Sequence, residues 1–283
     1  PIRDSDFIPL LDACGRVLAN ALPARLDVPP SDNSAMDGFA LYLADARSDE
    51  PTRLPVVGQA LAGHPYPDLV PRGAAVRITT GGVMPDGPDA VIVQEQCLIA
   101  PDESWIEIEP RAAARLKPGE TNRRGAWDVR AGTVLLSRGL RLRPQDVALA
   151  AGQGVAALEV VRQPRVAVAS TGDELREPGV ELPPGAIYET NRYTLIGLLR
   201  RLGCAVTDLG ILRDERDVVL PALRYAAASH DVLLTSGGVS VGTADLVKDV
   251  IAELGRIEFW RLAVKPGTPV TFGRIQDCMV LGL

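Results

Sequence analysis

The part of the sequence best suited to chemistry is the glycine-rich run SGGVSVGTAD at 236–245. Glycines let a backbone approach a phosphate closely, and the start of a following helix offers free N–H groups and a partial positive charge. The run lacks the spacing of GxGxxG and the GK[ST] ending of a Walker loop, so by pattern alone it fits a phosphate-binding corner or a tight structural turn. Asp245 could face a Mg²⁺ ion that bridges phosphates, or simply stabilise the helix dipole.

Carboxylates also lie in loops that follow predicted strands. Asp173 and Glu174 belong to STGDEL (170–175), and Asp214 follows a strand that ends at Leu212. Carboxylates in such loops hold a cation or orient a water molecule, although a solvated turn or a helix cap uses the same residue types.

One lysine and two histidines complete the set of candidate groups. Lys265 lies in KPGTP (265–269), where two prolines stiffen the loop, and it suits an oxyanion unless it is only solvated. His64 and His230 stand in unrelated settings and no CxxC pair exists, which argues against a zinc site and against a Ser-His or Cys-His hydrolase. A bound metal would be a hard cation held by oxygens.

The composition excludes several classes of function. The net charge is −6 and aromatic residues make up 4% of the chain, so we expect no nucleic-acid partner. No apolar run reaches the roughly 18 residues of a membrane helix, so we expect no membrane partner. Four scattered cysteines indicate buried free thiols in a reducing, cytoplasmic compartment.

From residue 165 onward, β-branched strands alternate with helices of 3.6-residue periodicity. The predicted strands are Arg165–Ser170, Cys204–Leu212, Asp231–Thr235, Ile257–Val264, Val270–Phe272 and Met279–Leu281. The predicted helices begin at Asn191 (apolar face Leu195, Leu198, Leu199, Leu202), cover Val218–Ala228, and begin again at Thr243 (Val247, Val250, Ile251, Leu254). This alternation specifies a doubly wound, mostly parallel α/β sheet, whose ligands bind at the carboxyl ends of the strands. The glycine-rich run and the carboxylates should therefore meet at one sheet edge.

The residues before 165 show a different pattern, and the length of 283 residues allows about two domains, perhaps three small ones. Helical spacing predicts a helix within Phe7–Leu22. A compact β module follows, with predicted strands at Leu54–Val57, Ala75–Thr79, Ala90–Gln94 and Trp105–Ile108. Two of its segments, DNSAMDGFA (32–40) and RITTGG (77–82), are dense in turn formers and could be plain surface turns.

Seven groups of residues, taken in order, resemble one known family: DNSAMDGFA (32–40), RITTGG (77–82) with VIVQEQ (91–96), STGDEL (170–175), TNR (190–192), LGILRD (209–214), TSGGVSVGTAD (235–245) and KPGTP (265–269). The chain is similar to the molybdopterin molybdenumtransferases, which include the bacterial MoeA-type enzymes and the gephyrin E domain. The resemblance implies an α/β and β multidomain protein. It would have a connecting and dimerisation domain (1–30 and 123–163, elongated), a β module (31–122) and an α/β molybdopterin-binding domain (164–283).

The resemblance also implies a reaction, in which adenylylated molybdopterin receives molybdate and AMP is released with Mg²⁺. Substrate would be bound by Thr171, Asp214, Ser236, Gly237, Gly238, Ser240, Lys265 and Pro266, with Lys265 next to molybdate. Mg²⁺ would be held by Asp245, Asp214 and Glu174. The catalytic residues would be Asp37, Thr80, Asp128, Asp173 and Glu174.

A homodimer is implied too, because in the family Asp37, Thr80 and Asp128 face the site from the partner chain. A molybdopterin adenylyltransferase is an expected partner. Other interpretations are a non-catalytic molybdopterin-binding or scaffold module, and a molybdopterin adenylyltransferase itself, which shares the α/β fold but lacks the β module.

The chain departs from the family pattern at several positions. Ala126-Trp127 precedes Asp128 where Gly-Glu is common, and Arg261 and Thr268 stand where many members carry lysine. The sequence ends at Leu283 in or just after a predicted strand, whereas the family continues with a Pro-Gly-Asn-Pro-Val-Ser loop and a β domain. We therefore expect the sequence to be incomplete at its C-terminus.

Overall fold

The computed structural model describes residues 2–237, 246–260 and 270–283. The chain forms two compact units. The α/β unit comprises Pro1–Ala19, Arg141–Pro144 and Ala157–Leu283, and the β unit comprises Asn20–Leu140 and Gln145–Ala156.

In the described part of the chain, short strands outnumber helices. The strands are β1 Ser5–Pro9, β2 Leu22–Pro23, β3 Asn33–Ser34, β4 Gly38–Leu41, β5 Thr52–Ala60, β6 Ala75–Ile78, β7 Ala90–Val93, β8 Cys97–Ile99, β9 Trp105–Ile108, β10 Asn122–Arg123, β11 Val134–Leu136, β12 Ala157–Val161, β13 Arg165–Thr171, β14 Leu175–Arg176, β15 Ile187–Tyr188, β16 Ala205–Leu212, β17 Val232–Ser236, β18 Arg256–Trp260, β19 Thr271–Ile275 and β20 Cys278–Gly282. The α-helices are α1 Pro110–Ala113, α2 Pro144–Ala151, α3 Asn191–Arg201, α4 Arg216–Ser229 and α5 Leu246–Leu254.

The α/β unit is built on a six-stranded sheet in the order β16-β13-β17-β20-β19-β18. The first four strands run parallel, and β19 and β18 are antiparallel to their neighbours. The central strand β13 directs Val166 and Val168 to the core under α3, and Ala167 and Ala169 to the core under α4 and α5. Helices thus cover both faces, and the predicted doubly wound, mostly parallel sheet is confirmed.

Two predictions about helices in this unit are wrong. No helix of α type forms within Phe7–Leu22, since residues 5–9 form β1, which pairs antiparallel with β12, and a single 3-10 turn follows. Pro9 lacks the N–H that a helix interior needs, and Gly15 has a positive φ of 80°. The apolar residues that suggested a helix do not share one buried face: Phe7 is 77% and Leu11 92% exposed, whereas Leu18 and Leu22 are buried.

The buried face of α3 also differs from the prediction. Ile196 is buried and Leu195 and Leu199 pack beside it, whereas Leu198 and Leu202 are exposed. Arg192 is also buried in α3, so the buried face of the helix contains Arg192 and Ile196 rather than the full predicted stripe of leucines.

The four cysteines are free thiols, as predicted, but they are not all buried. Cys278 is buried and Cys14 is exposed. Burial raises the pKa of the Cys278 thiol to about 11, so this thiol stays protonated at neutral pH.

The β unit is built on a second six-stranded sheet, in the order β7-β4-β6-β5-β9-β8. Phe39 and Ile92 belong to the core on one side, and Ala40 and Val76 to the core on the other. The four predicted strands of the β module are present, with Trp105–Ile108 matching β9. The prediction missed β4, because the turn formers of 32–40 concealed it.

Short antiparallel pairings join the beginning of the chain to later segments. Within the α/β unit β1 pairs with β12, and within the β unit β2 pairs with β11. The division into connecting domain, β module and α/β domain stays a prediction.

Candidate active site

The carboxyl ends of three parallel strands lie side by side in the α/β unit. Thr171 of β13 pairs with Leu212 of β16, and Ser170 pairs with Ser236 of β17. Gly237 then turns the chain with a φ of +88°, and its N–H donates to the Leu283 carbonyl at 3.0 Å. A Cβ at Gly237 would lie 2.4 Å from the Thr171 carbonyl oxygen, so the corner requires glycine.

Hydroxyl groups concentrate at this corner. The side-chain oxygens of Ser170, Thr171 and Thr235 are buried, and within the described part of the chain they have no hydrogen-bond partner. Buried polar atoms are nearly always paired, so this edge offers donors that a ligand could use. Ser236 Oγ accepts a hydrogen bond from Asn191 Nδ2 at 3.1 Å.

The three carboxylates predicted at this edge come together. The backbone N–H of Asp214 lies 3.4 Å from Asp173 Oδ1. Partial burial raises the pKa of Asp214, and the negative charges of Asp173 and Glu174 raise it further. Glu174 folds back over Gly172, where a Cβ would lie 2.6 Å from its carboxylate. The edge therefore carries concentrated negative charge beside the hydroxyl groups.

A two-stranded parallel ribbon, β14 with β15, supports the loop that carries these acids. The Ile187 N–H donates to the Glu174 carbonyl at 2.9 Å, and the Glu189 N–H donates to the Arg176 carbonyl at 2.9 Å. A cleft of about 610 Å³ opens beside the loop and is lined by Gly172, Asp173, Leu175, Arg176, Glu177, Val180, Ile211, Arg213 and Glu215.

Arg192 holds this frame together. Its side chain is 3% exposed and forms ion pairs with Glu177 and Asp208, while its N–H donates to Glu189 Oε1 at 2.7 Å. Neither Arg192 nor Asn191 was predicted as a functional residue. The available signal was the TNR segment (190–192), one of the seven groups that resemble the family.

We expect Arg192→Leu to lower the free energy of unfolding by about 1–2 kcal/mol, because it removes charged hydrogen bonds to Glu177 and Asp208, whose carboxylates are each 44% exposed and regain water. Chemical denaturation measures the change. Arg213→Leu is the matched control, since Arg213 is 77% exposed and its contact with Glu215 is 3.9 Å long. Equal, small effects of the two substitutions would contradict the supporting role of Arg192.

The predicted residues of the β unit form a second polar cluster. The Thr80 N–H and hydroxyl both donate to Asp37 Oδ1, at 2.7 and 2.9 Å. The backbone bond, the hydroxyl bond and the nearby Arg77 charge lower the pKa of Asp37. Asp37 is therefore an exposed, firmly ionised carboxylate.

Asp128 belongs to the same β unit, and among the described residues no hydrogen bond or ion pair joins it to Asp37. Its carboxylate pairs with Arg123 Nη2 at 2.7 Å, and its N–H donates to the Val28 carbonyl at 2.8 Å. Arg123 in turn pairs with Asn33 across β10 and β3. Asp128 is thus connected to the 32–40 segment through its ion pair with Arg123 and the pairing of β10 with β3.

Comparisons with known proteins cover both units. The model of the MoeA N-terminal region (domain I and II) matches residues 1–154, and the model of a probable molybdopterin binding domain matches residues 167–283. A molybdopterin molybdenumtransferase of Haemophilus influenzae is 40% identical over 99% of this chain and 67% of its own length. A second one, from a Nostoc species, is 36% identical over 95% of this chain and 61% of its own length. The chain belongs to the molybdopterin molybdenumtransferase family.

The solved structures agree with this assignment. A molybdopterin biosynthesis MoeA protein from Pyrococcus horikosii superposes with a TM-score of 0.86 at 32% identity, covering 100% of this chain and 70% of that protein. The predicted resemblance to the molybdopterin molybdenumtransferases is therefore confirmed. The chain spans about three fifths to two thirds of the length of the two curated relatives.

Several of the predicted site residues of this chain lie outside the described residues. They are Gly238, Ser240, Asp245, Lys265 and Pro266. Within the described ranges, no group of three or more His, Cys, Asp and Glu side chains is arranged to hold a metal ion. In those ranges no helix is long and apolar enough to cross a membrane.

The donor set nevertheless fits a hard cation. Glu174 and Asp214 offer carboxylate oxygens at the sheet edge, and Mg²⁺ sites use only one or two carboxylates together with substrate phosphates and water. Partial burial, and then the charges of Asp173 and Glu174, raise the pKa of Asp214, and a divalent cation would balance those charges.

Proposed function

We propose that the protein acts in the cytoplasm to insert molybdate into adenylylated molybdopterin, with Mg²⁺-dependent release of AMP. The observation that carries this proposal is the sheet edge at which Thr171, Ser236 and Gly237 lie beside three carboxylates, in a chain of this family. Hydroxyl donors suit phosphate oxygens, and the adjacent acids suit a counter-ion and a water molecule.

The residues of the α/β unit then have different roles in this reaction. Thr171, Ser236 and the glycine corner bind the pyrophosphate of the substrate, and Asn191 orients the Ser236 hydroxyl through its 3.1 Å bond. Asp173 and Glu174 orient water and accept its proton as the pyrophosphate bond breaks and AMP leaves. Gly238 and Ser240 extend the phosphate site, and Lys265 with Pro266 binds molybdate, a dianion.

Mg²⁺ would be held by Glu174, Asp214 and Asp245. When bound, it neutralises the charge that develops on the pyrophosphate. The backbone N–H of Asp214 also lies 3.4 Å from Asp173 Oδ1, so the Asp214 backbone would link the metal-binding group to the loop of catalytic acids.

The active protein would be a homodimer in which Asp37, Thr80 and Asp128 reach the site from the β unit of the partner chain. The ionised Asp37 would then add a fixed negative charge opposite the acids of the α/β unit. A molybdopterin adenylyltransferase would supply the adenylylated substrate.

The test is AMP release, measured by chromatography after mixing the full-length protein with adenylylated molybdopterin, molybdate and Mg²⁺. We expect AMP only when molybdate and Mg²⁺ are both present. Binding without release would favour a scaffold module, and adenylylation of molybdopterin by ATP would favour an adenylyltransferase. Either result would contradict the proposal.

We expect Asp214→Asn to raise the Mg²⁺ concentration needed for half-maximal AMP release by about tenfold, because an amide is a poorer Mg²⁺ ligand than a carboxylate. The same substitution should stabilise the metal-free protein at neutral pH. The folded state raises the pKa of Asp214, so ionisation favours the unfolded state.

Thermal denaturation at several pH values checks the second effect. The stability gain of Asp214→Asn should be present at neutral pH and disappear below about pH 4, where the carboxyl group is protonated in both states. Asp217→Asn, on the exposed first turn of α4, is the control. If Asp214→Asn left the Mg²⁺ dependence of AMP release unchanged, Asp214 would not be a ligand of the metal.

A further inference from the structure

A tightly held turn of the β unit displays a tryptophan. The Trp127 N–H donates to the Arg124 carbonyl at 3.2 Å, closing the turn. The backbone of the two residues that flank Trp127 is also fixed. The Ala126 N–H donates to the Pro29 carbonyl at 3.0 Å, and the Asp128 N–H donates to the Val28 carbonyl at 2.8 Å. Ala126 has a φ of +60°, a strained conformation for a residue with a side chain, and it persists because these bonds fix the backbone.

The indole itself is left uncovered. Trp127 is 67% exposed, and among the described residues no aromatic ring or cation stacks on it. Trp105 in the same unit is covered by the Arg53 guanidinium at 3.8 Å. A rigid turn that holds a large flat side chain in solvent is a preformed surface for stacking.

Polar groups next to this turn suit a phosphorylated ligand. Arg124 has no carboxylate partner in the described part of the chain, whereas Arg123 is paired with Asp128. Arg124 lines a cleft of about 410 Å³ whose two carboxylates, Asp32 and Asp89, accept backbone N–H bonds from Gly125 and Leu43 at 2.7 Å. Asn122 Oδ1 is buried and unpaired within the described residues.

We propose that this turn binds a flat heteroaromatic ring that carries a phosphate, with Trp127 stacking on the ring and Arg124 binding the phosphate. The inference rests on the proposed function, whose substrate carries two such rings, a pterin and an adenine.

Binding measurements on the full-length protein test this site directly. The probes are AMP, adenosine and a phosphorylated pterin, and the signal is quenching of tryptophan fluorescence, confirmed by calorimetry. We expect Trp127→Ala to weaken binding of one phosphorylated probe by about tenfold, and that probe identifies the ring. Trp127→Phe should retain most of the affinity, because it keeps an aromatic face.

Arg124→Ala should weaken binding of the phosphorylated probe but not of adenosine, and the loss should shrink at high salt. Leu98→Ala is the control, since Leu98 is 59% exposed in the same unit and lies on β8. In the AMP-release assay, Trp127→Ala should raise KM about tenfold with a smaller change in kcat.

The outcomes separate this inference from the proposed function. If wild-type protein releases AMP and Trp127→Ala binds every probe as tightly as wild type, the stacking site is wrong and the function stands. If wild-type protein releases no AMP but Trp127→Ala loses a probe, the function is wrong and the site stands.

Discussion

Asp37→Asn should reduce the rate of molybdate-dependent AMP release by about 100-fold, which is the usual loss when a preorganised electrostatic group of an active site is removed. Two Thr80 donors on Oδ1 hold Asp37 ionised and keep its pKa low. The asparagine carbonyl oxygen can still accept the Thr80 N–H bond, so the turn is preserved while the charge is lost.

Asp45→Asn is the matched control for this experiment. Asp45 is another carboxylate of the β unit that accepts a backbone N–H, from Gly73 at 2.7 Å, but it lies outside the 32–40 segment. We expect its variant to retain AMP release within about twofold, because Asp45 has no part in the proposed reaction; the loss of its ion pair with Arg72 should affect stability instead. If folded Asp37→Asn protein were equally active, Asp37 would have no part in the reaction.

Gly237→Ala should weaken substrate binding by tenfold or more. After Asp37→Asn, this is the second substitution from which we expect a large effect. A Cβ at this position would lie 2.4 Å from the Thr171 carbonyl, and the φ of +88° would cost about 1–2 kcal/mol for any residue with a side chain. The corner must therefore move away from β13, which separates Ser236 from Thr171.

Gly210→Ala separates these two causes. Gly210 has a φ of +74° but no atom within 4 Å of its would-be Cβ, so its variant carries the backbone cost without the collision. Titration calorimetry with AMP and Mg²⁺ compares the two variants, and denaturation gives their stabilities. Similar affinities for the two variants would show that the collision at Thr171 does not shape the phosphate site.

The α/β unit was predictable from sequence because its signals are local. Hydrophobic periodicity located β13, α4 and α5 to within a few residues, and the rule for carboxyl ends of parallel strands brought Asp173 and Asp214 to one edge. The failures involve distant partners. Strand β1 pairs with β12 about 150 residues later in the chain, so the local helical spacing of Phe7–Leu22 was misleading.

The site was predictable only in part, for a similar reason. Asn191 and Arg192 gain their roles from Ser236, Glu177 and Asp208, which only tertiary structure brings to them. The pairing of Asp37 with Thr80 spans 43 residues, and no spacing rule reveals it. Asp37 and Thr80 were predicted as site residues only through the family resemblance.

The most direct test is a crystal structure of the protein with Mg²⁺ and adenylylated molybdopterin, or with its product AMP. We predict phosphate oxygens within hydrogen-bond distance of Ser236 and the Thr171 hydroxyl, beside a cation bound to Asp214 or Glu174. Phosphate density in another crevice, with the corner at Gly237 empty, would contradict the proposed phosphate site and the roles assigned around it.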